Sequence, residues 1–213
     1  TERIEKILFV CAILGILSDP IYWIWELCAS GTLHFEKTLP LYFCSLFCIT
    51  LAVAVFSKKK VVKKTCYAYL ATMNVFAALM GLIVNVNLNT YPVFSFVGLR
   101  TLFFHLLMLF VSCLIWVTKY YKPEIKDTYR FFIPLAILFV PAIIVDKAFG
   151  FDYCYLNGGI GTPIEMFSSA MPNAVYIILL YTVIYVAVLT VFYIPTIVKH
   201  VKQNKQINTA PSN

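Results

Sequence analysis

Apolar positions run in six long blocks, at 7–28, 39–56, 66–85, 99–118, 131–145 and 174–197, separated by short polar segments. A helix needs about 20 apolar residues to cross a hydrocarbon core about 30 Å thick. Five blocks reach or nearly reach that length. The block at 131–145 is short and holds Pro134 and Pro141. Its helix is expected to kink, or to run on through Asp146 and Lys147 to Phe149. With little soluble chain between the blocks, the pattern predicts an all-α fold. The expected architecture is a polytopic transmembrane helical bundle with six spans over 1–198, then a disordered cytoplasmic tail at 199–213.

Composition agrees with that reading. The chain is 61% hydrophobic and 13% charged, with mean hydropathy +0.83, against about 25% charged residues in a soluble domain. The first block is a poor signal peptide. It holds Asp19 and Glu26 and exceeds the about 7–15 apolar residues of such a segment.

Charge adds an orientation. The seven segments that flank the blocks hold 2, 1, 5, 0, 4, 1 and 3 Lys or Arg, with Arg100 just inside the fourth block, so 14 of 17 lie in alternate segments. Basic residues near spans are retained in the cytoplasm. Both ends are therefore expected inside, with the loops at 29–38, 86–98 and 146–173 outside. The net charge of +7 is explained by these flanks and points to no nucleic acid. Lys58, Lys59, Lys60, Lys63 and Lys64 read as a stop-transfer flank, or else as a patch that attracts anionic lipid.

Seven cysteines do not make a disulfide framework, because most lie inside blocks. Cys154, in the longest loop, has no obvious partner. No CxxC or paired Cys/His spacing suggests a metal, and no cofactor is implied.

Polar groups in hydrocarbon are costly, so those in spans are candidates for function. They are Asp19, Glu26, Asn74 and His105, with Asp146 at a span end. The bland reading is a set of hydrogen bonds between helices. Most of these groups crowd the outer half, and the sharper reading is a cavity open there. At 1.5 Å per residue, Cys44 lies about 7–8 Å and His105 about 9 Å below the outer end. A histidine can activate a thiol and a carboxylate can orient the imidazole, here Asp19 or Asp146. Equal depth does not establish contact, and a buried thiol is commonly inert. Cys48, one turn from Cys44, reads as packing. The loop at 146–173 is long enough to be a lid, or it is plain surface.

The segment Leu39-Pro40-Leu41-Tyr42-Phe43-Cys44 resembles the LPLH-x-C motif of the YwaF-like integral membrane proteins. Other features agree in order: Asp19, Tyr22 and Trp23 before it; Phe103-Phe104-His105 after it; a basic loop from Lys122-Pro123 to Arg130; and Asp152-Tyr153-Cys154-Tyr155-Leu156 in place of an NY-x-x-L-like segment. Tyr42 replaces the motif histidine and Asp152 an asparagine. The resemblance implies a seven-span pattern with one further helix before the first block, which suits a chain that starts at Thr1. It also implies a bacterial cell membrane. An animal ether-phospholipid acyltransferase is similar to this family, and its essential cysteine matches the motif position. The resemblance therefore implies Cys44 as an acyl-accepting nucleophile and His105 as its base. Tyr42, Asp152 and Tyr153 join Asp19, Glu26, Asn74 and Asp146 as expected orienting or cavity-lining residues.

Three functions follow as alternatives. The first is an acyltransferase or thioesterase whose partner is membrane lipid. The second is a small-solute transporter or channel lined by Asp19, Glu26 and Asn74, though no inverted repeat or glycine-broken helix pair supports it. The third is a non-enzymatic scaffold or lipid-binding sensor.

Overall fold

The computed structural model describes residues 2–83, 91–124, 127–194 and 198. The expected tail and the end of the sixth block lie outside the described residues. Among the described residues there is no strand. Six helices are long and apolar enough to cross a membrane: Glu2–Ser30, Phe35–Phe56, Lys60–Ile83, Phe96–Val117, Arg130–Phe149 and Asn173–Tyr193. They are called the first to sixth spans below. The fifth does run on to Phe149, carrying Asp146 with it.

Two spans are less regular than their apolar runs predict. In the second, a turn at Phe35–Thr38 is followed by an irregular stretch, and the long helix begins only at Phe43. Pro40 is the physical reason. It disfavours helical geometry in the residue before it, and Leu39 is extended at φ −75°, ψ 131°. The third span breaks at Thr72, whose φ −127° and ψ −79° interrupt the helix between Lys60–Ala71 and Met73–Ile83.

A break in hydrocarbon leaves carbonyls short of donors. The fourth span supplies them. Ser112 Oγ donates to Leu70 O at 2.7 Å and Trp116 Nε1 donates to Ala71 O at 2.6 Å. Asn74 reaches the other way, donating to Met108 O at 3.0 Å and to Ser112 Oγ at 2.9 Å. The structure thus gives Asn74 the interhelical role of the bland reading. The third span is the central one, with 56% of its apolar window buried against 17% for the sixth.

The first and second spans approach closely at Gly15. A Cβ there would sit 3.2 Å from Cys48 Sγ. Cys48 is a packing residue, as its place one turn from Cys44 predicts.

The two ends of the bundle differ. At the basic end, Lys64 and Arg130 both pair with Asp127, at 2.5 and 2.6 Å, and Lys64 also reaches Glu124 at 3.2 Å. Burial alone would push the Asp127 carboxyl up. Hydrogen bonds from Lys64 and Arg130 outweigh it and hold the group below its ordinary value. The opposite, long-loop end is closed by the chain between the fifth and sixth spans.

Candidate functional site at the long-loop end

Cys44 is the second residue of the helix that starts at Phe43. Its sulfur faces the backbone N–H groups of Cys44 and Ser45, in the turn where a helix has unpaired donors. The side chain is partly exposed, whereas Cys11, Cys48, Cys66 and Cys154 are buried.

The segment at 151–157 straps across the start of the second span. Tyr153 N–H donates to Asp146 Oδ1 at 3.0 Å, and its hydroxyl donates to Glu36 O at 2.5 Å. The Tyr153 ring meets Tyr42 edge-on, centroids 4.8 Å apart. Cys154 Sγ donates to Leu41 O at 3.1 Å, and Tyr181 OH donates to Cys154 O at 2.5 Å. Cys154 and Tyr155 hold left-handed backbone, at φ 54° and 58°, which costs about 1–2 kcal/mol for each non-glycine residue. The strap's side-chain bonds hold it there. Asp152 shapes the turn beyond, accepting Asn157 N–H at 2.7 Å and Ile160 N–H at 2.8 Å.

Cys154, the loop thiol without an obvious partner in the sequence, is therefore covered by the fold. It is 1% exposed. Burial, then the charge field of Cys44, pushes its thiol well above the ordinary range. Burial, followed by Cys44, likewise pushes the Tyr155 phenol up to about 12.

His105 lies in the fourth span with Nδ1 2.8 Å from Thr101 O. A carbonyl only accepts, so Nδ1 carries the hydrogen and Nε2 is the basic nitrogen. The ring packs so closely on the third span that a Cβ on Gly81 would overlap it. Among the described residues no hydrogen bond joins Cys44 to His105. Their spans meet through Phe47, edge-on to Phe104 with centroids 5.9 Å apart.

Neither expected orienter meets the imidazole. Asp146 serves the strap, and Asp19 binds Arg100, whose Nη2 lies 2.6 Å from Asp19 Oδ1. Arg100 Nε also donates to Ser18 O at 3.2 Å, and its guanidinium covers the Tyr22 ring at 4.6 Å. Cys44 lies within the electrostatic reach of both Asp19 and Arg100. Glu26, at the end of the first span, accepts from Tyr22 OH at 3.3 Å and from His34 Nδ1 at 3.0 Å, both through Oε1.

The segments that meet here, Leu41 to Cys44 and Tyr153 to Tyr155, both fall within residues 2–193, which match the TMEM164 family profile. The chain belongs to the TMEM164 family. No curated protein and no solved structure is similar enough to this chain to count as a match.

Arg100 is a candidate site residue that sequence reasoning missed. It sits one residue inside its apolar block and reads there as a flanking charge. Its spacing from Phe104 on one helix was the available signal, because residues four apart share a side of a helix. The match covers every candidate residue named above.

Proposed function

We propose that this membrane protein transfers acyl groups between membrane lipids through the thiol of Cys44. The observation that carries the reading is the setting of that thiol. It stands partly exposed in the first turn of a helix, under the strap and within reach of the Asp19–Arg100 ion pair. A helix N-terminus favours the thiolate over the thiol. The resemblance of Leu39 to Cys44 to the YwaF-like motif, and through it to an ether-phospholipid acyltransferase, supports the same residue.

In the first step the thiolate attacks the carbonyl carbon of a lipid ester. A C–S bond forms, the ester C–O bond breaks, and the released alkoxide takes the proton that the thiol gave up. In the second step an acceptor lipid hydroxyl attacks the thioester. Its proton passes to the departing sulfur, and Cys44 is restored. The resemblance supports His105 as the proton carrier in this reading; its Nδ1 is held by Thr101 O, and its Nε2 lies against Gly81 in this structure. In this reading both chain ends face the cytoplasm and the thiol lies in the outer half of the membrane, which the charge pattern supports.

The test compares Cys44→Ala with Cys48→Ala in acyl exchange by the purified protein. Exchange should fall to background in Cys44→Ala and persist in Cys48→Ala, which removes the same atom from a packing position. Exchange by Cys44→Ala at the parent rate would sink the covalent mechanism.

A further inference from the structure

The lysines between the second and third spans are not used by the chemistry above, and the fold leaves their charge unpaired. Lys58 and Lys59 lie in the link at 57–59, and Lys60 starts the next helix. All three are exposed, and Lys63 stands one turn beyond Lys59. Lys119 and Lys122 follow the fourth span and are exposed too. The two groups share one end of the bundle. Lys64 pairs with Glu124 and Asp127 across the two segments, and Tyr67 meets Tyr120 edge-on, centroids 5.1 Å apart.

No acid remains for these lysines. All ten acidic residues of the chain lie among the described residues. At this end Glu2 is taken by Lys6, and Glu5 accepts from Tyr120 OH at 3.1 Å. Glu124 is taken by Lys64, and Asp127 by Lys64 and Arg130. Lys59 and Lys63, four apart at the start of the helix, are neighbours of like charge, which repel. An anion seated between them would relieve that repulsion.

Apolar side chains lie directly beside the free lysines. Phe56 is 57% exposed, Val61 65% and Val117 81%, next to Lys58, Lys60 and Lys119. The link of three residues is too short to carry its lysines away from the span ends. Lysine stems cover apolar surface while their ammonium heads reach the polar layer, and basic residues at span ends attract anionic headgroups. The pairing of apolar and cationic groups matches a phospholipid, which has acyl chains next to a phosphate. A soluble polyanion would use the lysines alone.

We infer that this face binds anionic phospholipid. The headgroup phosphate meets the lysines, and the acyl chains lie against Phe56, Val61 and Val117. The surface is independent of the Cys44 reaction, because Cys44 lies at the opposite end of the helix Phe43–Phe56.

The experiment uses the full chain carrying Cys44→Ala, so that turnover plays no part and the fate of the acyl reading cannot alter the outcome. Protein in mixed micelles holding equal phosphatidylglycerol and phosphatidylcholine is analysed for retained lipid. Micelles leave both ends of the bundle accessible, so orientation plays no part either. Phosphatidylglycerol should be retained about tenfold over phosphatidylcholine, and added salt should weaken the preference. The variant Lys58→Gln/Lys59→Gln/Lys60→Gln/Lys63→Gln should retain the two lipids equally. Lys119→Gln/Lys122→Gln should lose part of the preference and gives a second reading of the same face. Lys37→Gln/Lys147→Gln, which removes the exposed lysines of the long-loop end, should keep the preference. Equal retention by the parent overturns the surface. So does a full preference in either variant of the face, or a loss in Lys37→Gln/Lys147→Gln as large as in the fourfold variant.

Discussion

The two ends of this bundle are closed by different chemistry. At the basic end the closure is ionic: Asp127 is clasped by Lys64 and Arg130, and Arg130 Nη1 also donates to Thr65 Oγ1 at 3.3 Å. At the long-loop end the closure is mostly side chain to backbone. Tyr153, Cys154 and Tyr181 each donate to a carbonyl, and two carboxyl oxygens, Glu26 Oε2 and Asp146 Oδ2, are buried without a partner. Charge therefore locks one end, while the other holds acceptors in reserve beside a partly exposed thiol. Those two carboxyl oxygens lie at the end that carries the candidate chemistry.

Breaking the ionic end should have the largest effect on stability. Asp127→Ala leaves two cations without their shared acid. The loss should be about 2–3 kcal/mol, less than for a fully buried pair because Lys64 is partly solvated. Thermal unfolding in detergent measures it. Gly81→Ala should come next, at about 1–3 kcal/mol, because its Cβ would overlap the His105 ring. A Gly81→Ala protein as stable as the parent would show that the third and fourth spans part easily. Tyr181→Phe should cost about 1 kcal/mol and expose Cys154 to thiol reagents, which the native protein excludes. Rapid labelling of Cys154 in the parent would show that the strap is open.

The smallest effects come from pH, and the two ends should respond in opposite directions. Asp127 has a lowered value in the fold. Its contribution is full above about pH 4 and is lost as pH falls through the folded value. Burial, then Glu36 and Asp146, pushes the Tyr153 phenol up to about 12. Its contribution is full below about pH 10 and is lost as pH rises toward the folded value. Asp127→Asn should flatten the acid limb alone, and Tyr153→Phe the alkaline limb alone. A variant that moved both limbs would mean that the two ends unfold as one unit.

Much of the fold was legible because burial in lipid writes long apolar runs into a chain. The six spans and the extension to Phe149 follow from those runs. The break at Thr72 was not legible. No Pro or Gly marks it, and its compensation comes from Ser112 and Trp116, far along the chain. The same holds for the site. Cys44 stands out by its motif, and Asn74 by its polarity. The partner of Asp19 lies 81 residues away, and periodicity carries no information about which faces meet. Cys154 reads as an exposed loop thiol because nothing local reveals that Leu41, 113 residues away, will cover it.

The broken third span also bears on how the protein is made. Alone in a bilayer, that helix would present the carbonyls of Leu70 and Ala71 to hydrocarbon, with no water to satisfy them. Their donors belong to a segment synthesised later. The third span is therefore not at home in lipid until the fourth has arrived, and the two should leave the insertion machinery as a hairpin. Ser112 and Trp116 act first as chaperones of their neighbour, and only afterwards as parts of a finished structure.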